Sequence, residues 1–429
     1  MRKSKLTFEF IANACGVFTG SDGTKILCDP WLVDGVFEGS WFHFHQLKTT
    51  QDDLSNVDAI YLSHLHPDHF DDRNFDFDRS IKIIALDHEP NFLIKKLSNL
   101  GFKNILKIKN QETISFREFK LTMFAPFAKH NFHSASVGNL IDSALLVSCK
   151  GVSALNANDN TLSIEAAELL SQQFGSINLA MLNYNAAGPY PSCFDNLTQS
   201  EKTAESARII ERNLNHIKNI IEVLKPKYFL PFAGAYVLGG ELFYKNEYLG
   251  VTTWDSCKDW MIRNLDNQTQ VVVLRENDTL DIETGVSDKE YLPIDLDEVN
   301  RYVTAELSCK KYPYQLDPIP EKQQLVRDVE ESSLKLKNRM TRFNLSSKFF
   351  VTVQIFDDLY EILPNFRPIS TMTNFSFLLE CRMDERLLRR ILDRKSTWNN
   401  AEIGGHISFV RSPNIYEPDL HTALQFFHL

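Results

Sequence analysis

Apolar side chains recur at every second position through Leu6, Phe8, Phe10 and Ala12, which predicts a first strand over residues 6–12. A second strand, over 25–29, follows the turn Ser21-Asp22-Gly23-Thr24, a hairpin signature. Short apolar runs bounded by Gly, Asp and Asn predict further strands at 58–63, 82–86, 121–125, 143–148, 152–157, 178–183, 228–232 and 270–274. Helical periodicity predicts helices over about 90–100, closed by Gly101, over 163–173, and over about 199–224. The last carries Ala204, Ala207, Ile210, Leu214, Ile217 and Ile221 on one face and stops before Pro226. Strands interleaved with crossover helices predict one layered α/β domain over 1–285. The pattern then changes. An acidic stretch and the three prolines between 312 and 320 suggest a linker over 286–320. A helix over 321–343, strands at 349–355, 372–382 and 407–410, and a helix over 385–392 predict a smaller C-terminal α+β domain, 321–429.

Length and composition fit this division. The 429 residues, 43% of them hydrophobic, suffice for two packed cores without disulfide staples. A formal net charge of −10 argues against a nucleic-acid partner, which needs a basic footprint. The seven cysteines are scattered and form no C-x-x-C pair, so neither a disulfide framework nor a zinc ribbon is expected. The basic start Met1-Arg2-Lys3-Ser4-Lys5 precedes an apolar stretch broken by Glu9 and Asn13, a poor secretory signal. No run approaches the ~20 apolar residues of a membrane span. The expectation is a cytoplasmic protein without a membrane partner, its oligomeric state left open.

Chemistry concentrates where the strand at 58–63 runs into His64-Leu65-His66-Pro67-Asp68-His69. His64 and His66 are two apart, so in extended backbone their rings leave on one side and can grip one metal. After the turn at Pro67, Asp68 and His69 are directed towards an adjacent second site. Imidazoles with carboxylates suit Zn²⁺ or Fe²⁺. Phe42-His43-Phe44-His45 alternates strictly, with two aromatics on one face and two histidines on the other, which reads as core-and-surface patterning; binding of a substrate phosphate or carboxylate is the alternative. Lys202, Arg208, Arg212 and Lys218 read as the solvated face of the long helix, and Cys193 as a buried thiol.

This H-x-H-x-D-H run after a strand, with Asp29-Pro30-Trp31 closing a hairpin upstream, resembles the metallo-β-lactamase superfamily. Asp142–Asp159 as DSALLVSCKGVSALNAND, Gly188–Phe194 as GPYPSCF, and Leu230–Tyr236 as LPFAGAY are similar to the catalytic region of the CMP-N-acetylneuraminate hydroxylase family and its bacterial relatives. The resemblance implies an αββα sandwich over the first domain holding two transition-metal ions, Zn or Fe. It implies His64, His66, Asp68, His69, His133 (with His130 as alternative) and Asp159 as ligands, and Asp29 behind a histidine. Tyr190, Cys193 and Tyr236 would wall a substrate pocket. Many superfamily members end the site with a late His, and Leu230–Tyr236 supplies none.

The implied activity is a hydrolase acting through a metal-bound hydroxide on a sugar, nucleotide-sugar or other anionic metabolite, with Asp68 or Asp159 as catalytic proton carriers. The alternative is a non-haem di-iron oxygenase. No cysteine here has a His two or three residues after it, so the chain lacks the C-x-H and C-x-x-H pairs of a Rieske cluster, and an oxygenase would draw electrons from a separate redox carrier. The run Trp398-Asn399-Asn400-Ala401-Glu402-Ile403-Gly404 suggests no chemistry from sequence.

Overall fold

A computed structural model describes residues 4–127, 142–266, 268–369 and 375–429. Two mixed sheets stack face to face. The first has eight strands in the spatial order Val286–Ser287, Asp278–Asp281, Leu6–Ala12, Cys15–Gly20, Lys25–Cys28, Ala59–Tyr61, Lys82–Asp87 and Ile105–Lys109. The second has seven, in the order Gln270–Val271, Tyr228–Pro231, Leu179–Leu182, Val152–Asn158, Ala144–Cys149, Phe119–Phe124 and Thr113–Phe116.

Alternation decides which side chains meet. Leu6, Phe8, Phe10, Ala59 and Tyr61 turn inward and pack against Leu121, Met123, Leu145, Val147, Leu179 and Met181 of the facing sheet. Ile60, Leu62 and Ile83 turn outward, onto Leu93 and Leu97 of the helix Phe92–Asn99. Strand 59–61 is apolar on both faces because it pairs in parallel on both sides and is covered on both. On the far side, Leu146, Leu155, Ala180 and Phe229 receive the helices Ile164–Phe174, Gln199–Leu224 and Trp254–Asn264. The layer order is α, β, β, α, as the resemblance implied.

The structure departs from the expected elements in places with physical causes. The first hairpin is formed by Cys15–Gly20 with Lys25–Cys28, and Leu6–Ala12 flanks it through a tight turn at Asn13 and Ala14. Glycines hide the strand 15–20 from any propensity reading. Gly16 is nonetheless required, because a Cβ there would stand 2.3 Å from the Phe8 ring. On the long helix, Ser206 and Ile209 are buried while Ala204 and Ala207 are exposed. Its first turns pack on the loop at Leu249 and Gly250 rather than on the sheet: Ser206 Oγ donates to Leu249 O at 2.5 Å. The alternation at 42–45 does not make a strand. Only Trp41–Phe42 pairs, with Val237–Leu238, and His43 is buried against Trp31.

The C-terminal part is a five-stranded sheet, ordered Arg367–Ile369, Asp358–Leu363, Phe350–Ile355, Leu378–Arg382, Ser408–Ser412, with the helices Lys322–Arg342 and Glu385–Leu392 packed on it. Its core is shared with the rest of the chain. Tyr312 and Tyr314, within the stretch expected as a linker, are buried in it, as are Cys193 and Phe194. Phe409 donates to Cys193 O at 2.8 Å and accepts from Asp195 N at 2.8 Å, so the loop after Pro191 is stitched to the strand Ser408–Ser412. Trp41 Nε1 donates to Ile403 O at 3.3 Å, and His406 Nε2 meets Phe37 O at 3.0 Å.

Phe8 is fully buried between the sheets, 4.9 Å from Phe18 and 5.7 Å from Phe232 between ring centroids. Phe8→Ala is expected to cost about 3–5 kcal/mol, read as a lowered urea midpoint; a change below about 1 kcal/mol would contradict the packing described.

Candidate metal centre

The site lies beyond the carboxyl ends of the central parallel strands, where an open α/β sheet leaves its crevice. Asp29 N donates to Tyr61 O at 3.0 Å and Leu62 N to Ile84 O at 3.0 Å, so the sheet holds the chain up to Leu62. Past Ser63 it leaves the sheet. The N–H groups of His69 and Phe70 both donate to His66 O, at 3.0 and 2.9 Å, closing a turn around Pro67. Phe70, buried in the outer core, pins the turn's far end.

This turn brings the four polar side chains together. His64 Nε2 lies 2.8 Å from His66 Nδ1, as the two-residue spacing implies. The outer nitrogen of His66, Nε2, lies 2.9 Å from Asn399 Oδ1, on the short helix Trp398–Ile403. That oxygen only accepts, so His66 carries its proton on Nε2 and turns a lone pair towards His64. His69 is aimed by Asp29: Asp29 Oδ1 accepts from Ser63 N at 2.8 Å and Oδ2 is 3.1 Å from His69 Nδ1. His69 Nε2 then faces Asp68 Oδ2 at 3.5 Å and Asp159 Oδ2 at 3.3 Å. Asp159 follows the strand Val152–Asn158 directly and accepts from Asn183 Nδ2 at 3.1 Å; Asp68 accepts from Asn13 Nδ2 at 3.1 Å.

Asp142, immediately before the strand Ala144–Cys149, adds a carboxylate 3.7 Å from His64 Nε2. Two triads result, His64/His69/Asp159 and His64/His66/Asp142, with donor atoms within 4.8 Å of one another in each. Of the expected ligands, His64, His66, Asp68, His69 and Asp159 come together. His133, with its alternative His130, lies outside the described residues. Asp142, Asn399, Asn183 and Asn13 escaped the sequence reading. Asp142 opens the segment 142–159 that carried the resemblance, a usable signal; Asn399 is 333 residues from His66 and had none.

The donor set fits a cation. Asp29, Asp68 and His69 are nearly or fully buried, and the ion pairs that Asp29, Asp68 and Asp159 make among the described residues are with imidazoles alone. His69 Nε2 and Asp68 Oδ1 are buried with no hydrogen-bond partner among the described residues. An orphaned carboxylate oxygen, or an imidazole lone pair, in an acidic pocket is costly unless a positive ion satisfies it. Titration follows suit. Burial, aided by the neighbouring rings of His69 and His66, pushes His64 well below its ordinary value, towards the neutral form a metal needs. Burial would lower His69 too, but Asp68, Asp159 and Asp29 outweigh it and hold the ring well above normal. Burial raises Asp68 and Asp142 to about 6 each.

Four backbone positions around the site, Asn13, Asp29, Asn158 and Ala233, have positive φ of 39–62°. Such conformations cost energy for residues other than Gly, and they cluster where the fold must aim side chains at one point.

Beside the centre opens a cavity of about 1050 Å³ between the sandwich and the C-terminal part, with Asn399 on its wall. Tyr190 lines it. Cys193 is fully buried in the shared core, its Sγ 3.3 Å from Lys245 Nζ, and Tyr236 stacks on Trp41 at 3.4 Å; neither is on the cavity wall.

No protein-family model matches the chain. Over 224 residues, 51% of this chain and 42% of the relative, it is 28% identical to a protein of Mycolicibacterium smegmatis named as a Rieske 2Fe-2S iron–sulfur protein. Over 250 residues, 54% of this chain and 39% of the relative, it is 22% identical to the cytidine monophosphate-N-acetylneuraminic acid hydroxylase of Danio rerio. The matches thus span about two fifths of the length of these curated relatives. Among solved structures, a diiron beta-hydroxylase from Streptomyces venezuelae aligns with TM-score 0.47 at 16% identity, covering 65% of this chain and 54% of that one. A possible metal-dependent hydrolase from Veillonella parvula aligns with TM-score 0.47 at 18% identity, covering 65% and 99%. The αββα layering and the H-x-H-x-D-H turn at its edge make this a metallo-β-lactamase-type fold.

Two outcomes are expected of metal uptake. Asn399→Ala frees the His66 ring and lowers affinity about 10–100-fold in competition with a chelator, whereas a variant equal to the parent would show that Asn399 does not orient the ligand. Uptake also displaces protons from Asp68 and Asp142, which are protonated below about pH 6 and ionised above it, so affinity must rise as pH increases from 5 to 7. A flat profile in the same competition assay would contradict the burial of these carboxyls.

Proposed function

We propose that the chain is a metal-dependent hydrolase using two ions held by the triads His64, His66, Asp142 and His64, His69, Asp159, with His64 shared between them and Asp68 beside the second. The single supporting observation is the convergence of these groups around the orphaned His69 Nε2 and Asp68 Oδ1. When bound, the ions supply Lewis acidity and lower the pKa of water towards neutrality, in the manner of dinuclear hydrolytic centres. The protein's own residues do the rest. Asp29 holds the His69 ring from behind, and Asn399 does so for His66, so that His69 Nε2 and His66 Nδ1 face inward; the proton that the surrounding carboxylates keep on His69 is given up when an ion binds. Asn13 fixes one oxygen of Asp68 and leaves the other free to take a proton and pass it to the leaving group. Asn183 holds Asp159, whose side chain keeps 24% exposure and can meet an incoming molecule. The substrate reading is an ester, lactone, amide or phosphodiester bond in a small anionic metabolite.

A second reading, a di-iron oxygenase, draws on the sequence likeness to the Danio rerio hydroxylase and to the Rieske-named protein. Electrons would come from a separate carrier. Of the seven cysteines, the six other than the exposed Cys309 are buried, and none stands in a Rieske pair.

Protein purified without added ions is expected to contain close to two zinc ions and to hydrolyse ester or phosphodiester probes, with Asp159→Asn lowering turnover at least 100-fold. Two irons with reductant-dependent oxygen uptake would replace the hydrolase reading by the second. Absence of any tightly bound metal would end both.

A further inference from the structure

The cavity of about 1050 Å³ is large enough for a small metabolite, and it adjoins the metal centre at Asn399, which lies on its wall and bonds His66 on the other side. Its charged groups are unequally matched. Glu205 is engaged by Arg208, at 2.6 Å, and by the Tyr190 hydroxyl at 2.9 Å. Glu402 is engaged by His421 at 2.8 Å. Arg411 differs. Only 6% exposed, on the strand Ser408–Ser412, it has no carboxylate within salt-bridge distance among the described residues, although the charge of Glu402 acts on it from farther off. Its guanidinium lies 4.6 Å from the Phe194 ring centre and 5.4 Å from that of Tyr190. Nε and Nη2 both donate to the neutral oxygen of Asn414, at 3.2 and 2.7 Å. Asn414 in turn donates to Tyr190, so the Glu205 carboxylate reaches Arg411 only through two neutral groups.

A buried guanidinium without a carboxylate in direct contact is expensive, and its planar fork matches an oxyanion. The rings of Phe194 and Tyr190 hold it in place, and Asn414 takes only two of its five donors on a residue that lines the cavity. From this we propose that the cavity is the substrate chamber of the metal centre and Arg411 its anion anchor, taking a small organic molecule through a carboxylate or phosphate group. The reading rests on the metal centre for the reacting end of that molecule, but the anchor stands on its own geometry. It also gives the C-terminal part a role, because both Arg411 and Asn399 come from it.

The probes are inorganic phosphate and acetate, titrated calorimetrically into the full chain after chelator treatment, so that binding at a metal is excluded, and again after reloading with zinc. Saturable binding of at least one probe to the chelated protein is expected, and the tighter of the two identifies the group recognised. Arg411→Gln should weaken it at least tenfold. Because that change also strips packing from Phe194, Asn414→Asp provides the independent arm: it sets a carboxylate against the guanidinium without changing size, and should abolish probe binding while the melting temperature holds or rises. The proposal is overturned if neither probe saturates, if both variants bind like the parent, or if Arg212→Gln on the cavity rim causes an equal loss. Anion binding in a protein that never takes up metal would remove the proposed hydrolase and leave the anchor; metal uptake without anion binding would do the opposite.

Discussion

Buried negative charge that the protein cannot neutralise by itself organises this structure. Asp29, Asp68, Asp142 and Asp159 converge on three imidazoles, and the first two are almost withdrawn from water. Ionised carboxylates at such a position cost several kcal/mol each unless a cation compensates them. The sandwich supplies the frame that makes the convergence unavoidable. Strand 59–61 is packed on both faces and paired on both edges, so the turn after it has no freedom to carry His64 and His66 elsewhere.

Around that charge the chain spends amides rather than more charge. Asn13, Asn183 and Asn399 each take one atom of a prospective ligand, and Ser63 lies at 2.9 and 3.2 Å from the Nδ1 atoms of His64 and His69. Neutral partners orient ligands without adding to the burden of buried ions, and they set which nitrogen of each ring faces inward. The same economy recurs at Arg411, which is held by an amide and two ring faces. The difference is sign: an acidic pocket suited to cations sits beside a cavity whose unmatched charge is positive.

The C-terminal sheet is part of this arrangement and not an appendage. Tyr312, Tyr314, Cys193 and Phe194 are buried in its core, and the backbone of residues 193–195 is hydrogen-bonded to Phe409. Docked in this way, the helix Trp398–Ile403 can place Asn399 against His66 with enough rigidity to matter for a ring orientation.

Local chemistry is what a sequence states directly, and here it stated a good deal. The period-two runs and the long helix announced the layers, because alternation and helical spacing are properties of neighbours along the chain. His64, His66, Asp68 and His69 were legible for the same reason: they occupy one turn, and their spacing alone carries the geometry. Asp29 and Asp159 were reached only through resemblance. The partnership of His66 with Asn399 could not be read at all, since it depends on how two sheets and a third dock. Nor could the position of Arg411, which in sequence is one basic residue among 46 and becomes distinctive only when folding surrounds it with rings and an amide and leaves it without an acid in direct contact. Spacing determines which groups sit side by side within a turn; only packing decides which distant groups face them, and which charges are left uncompensated.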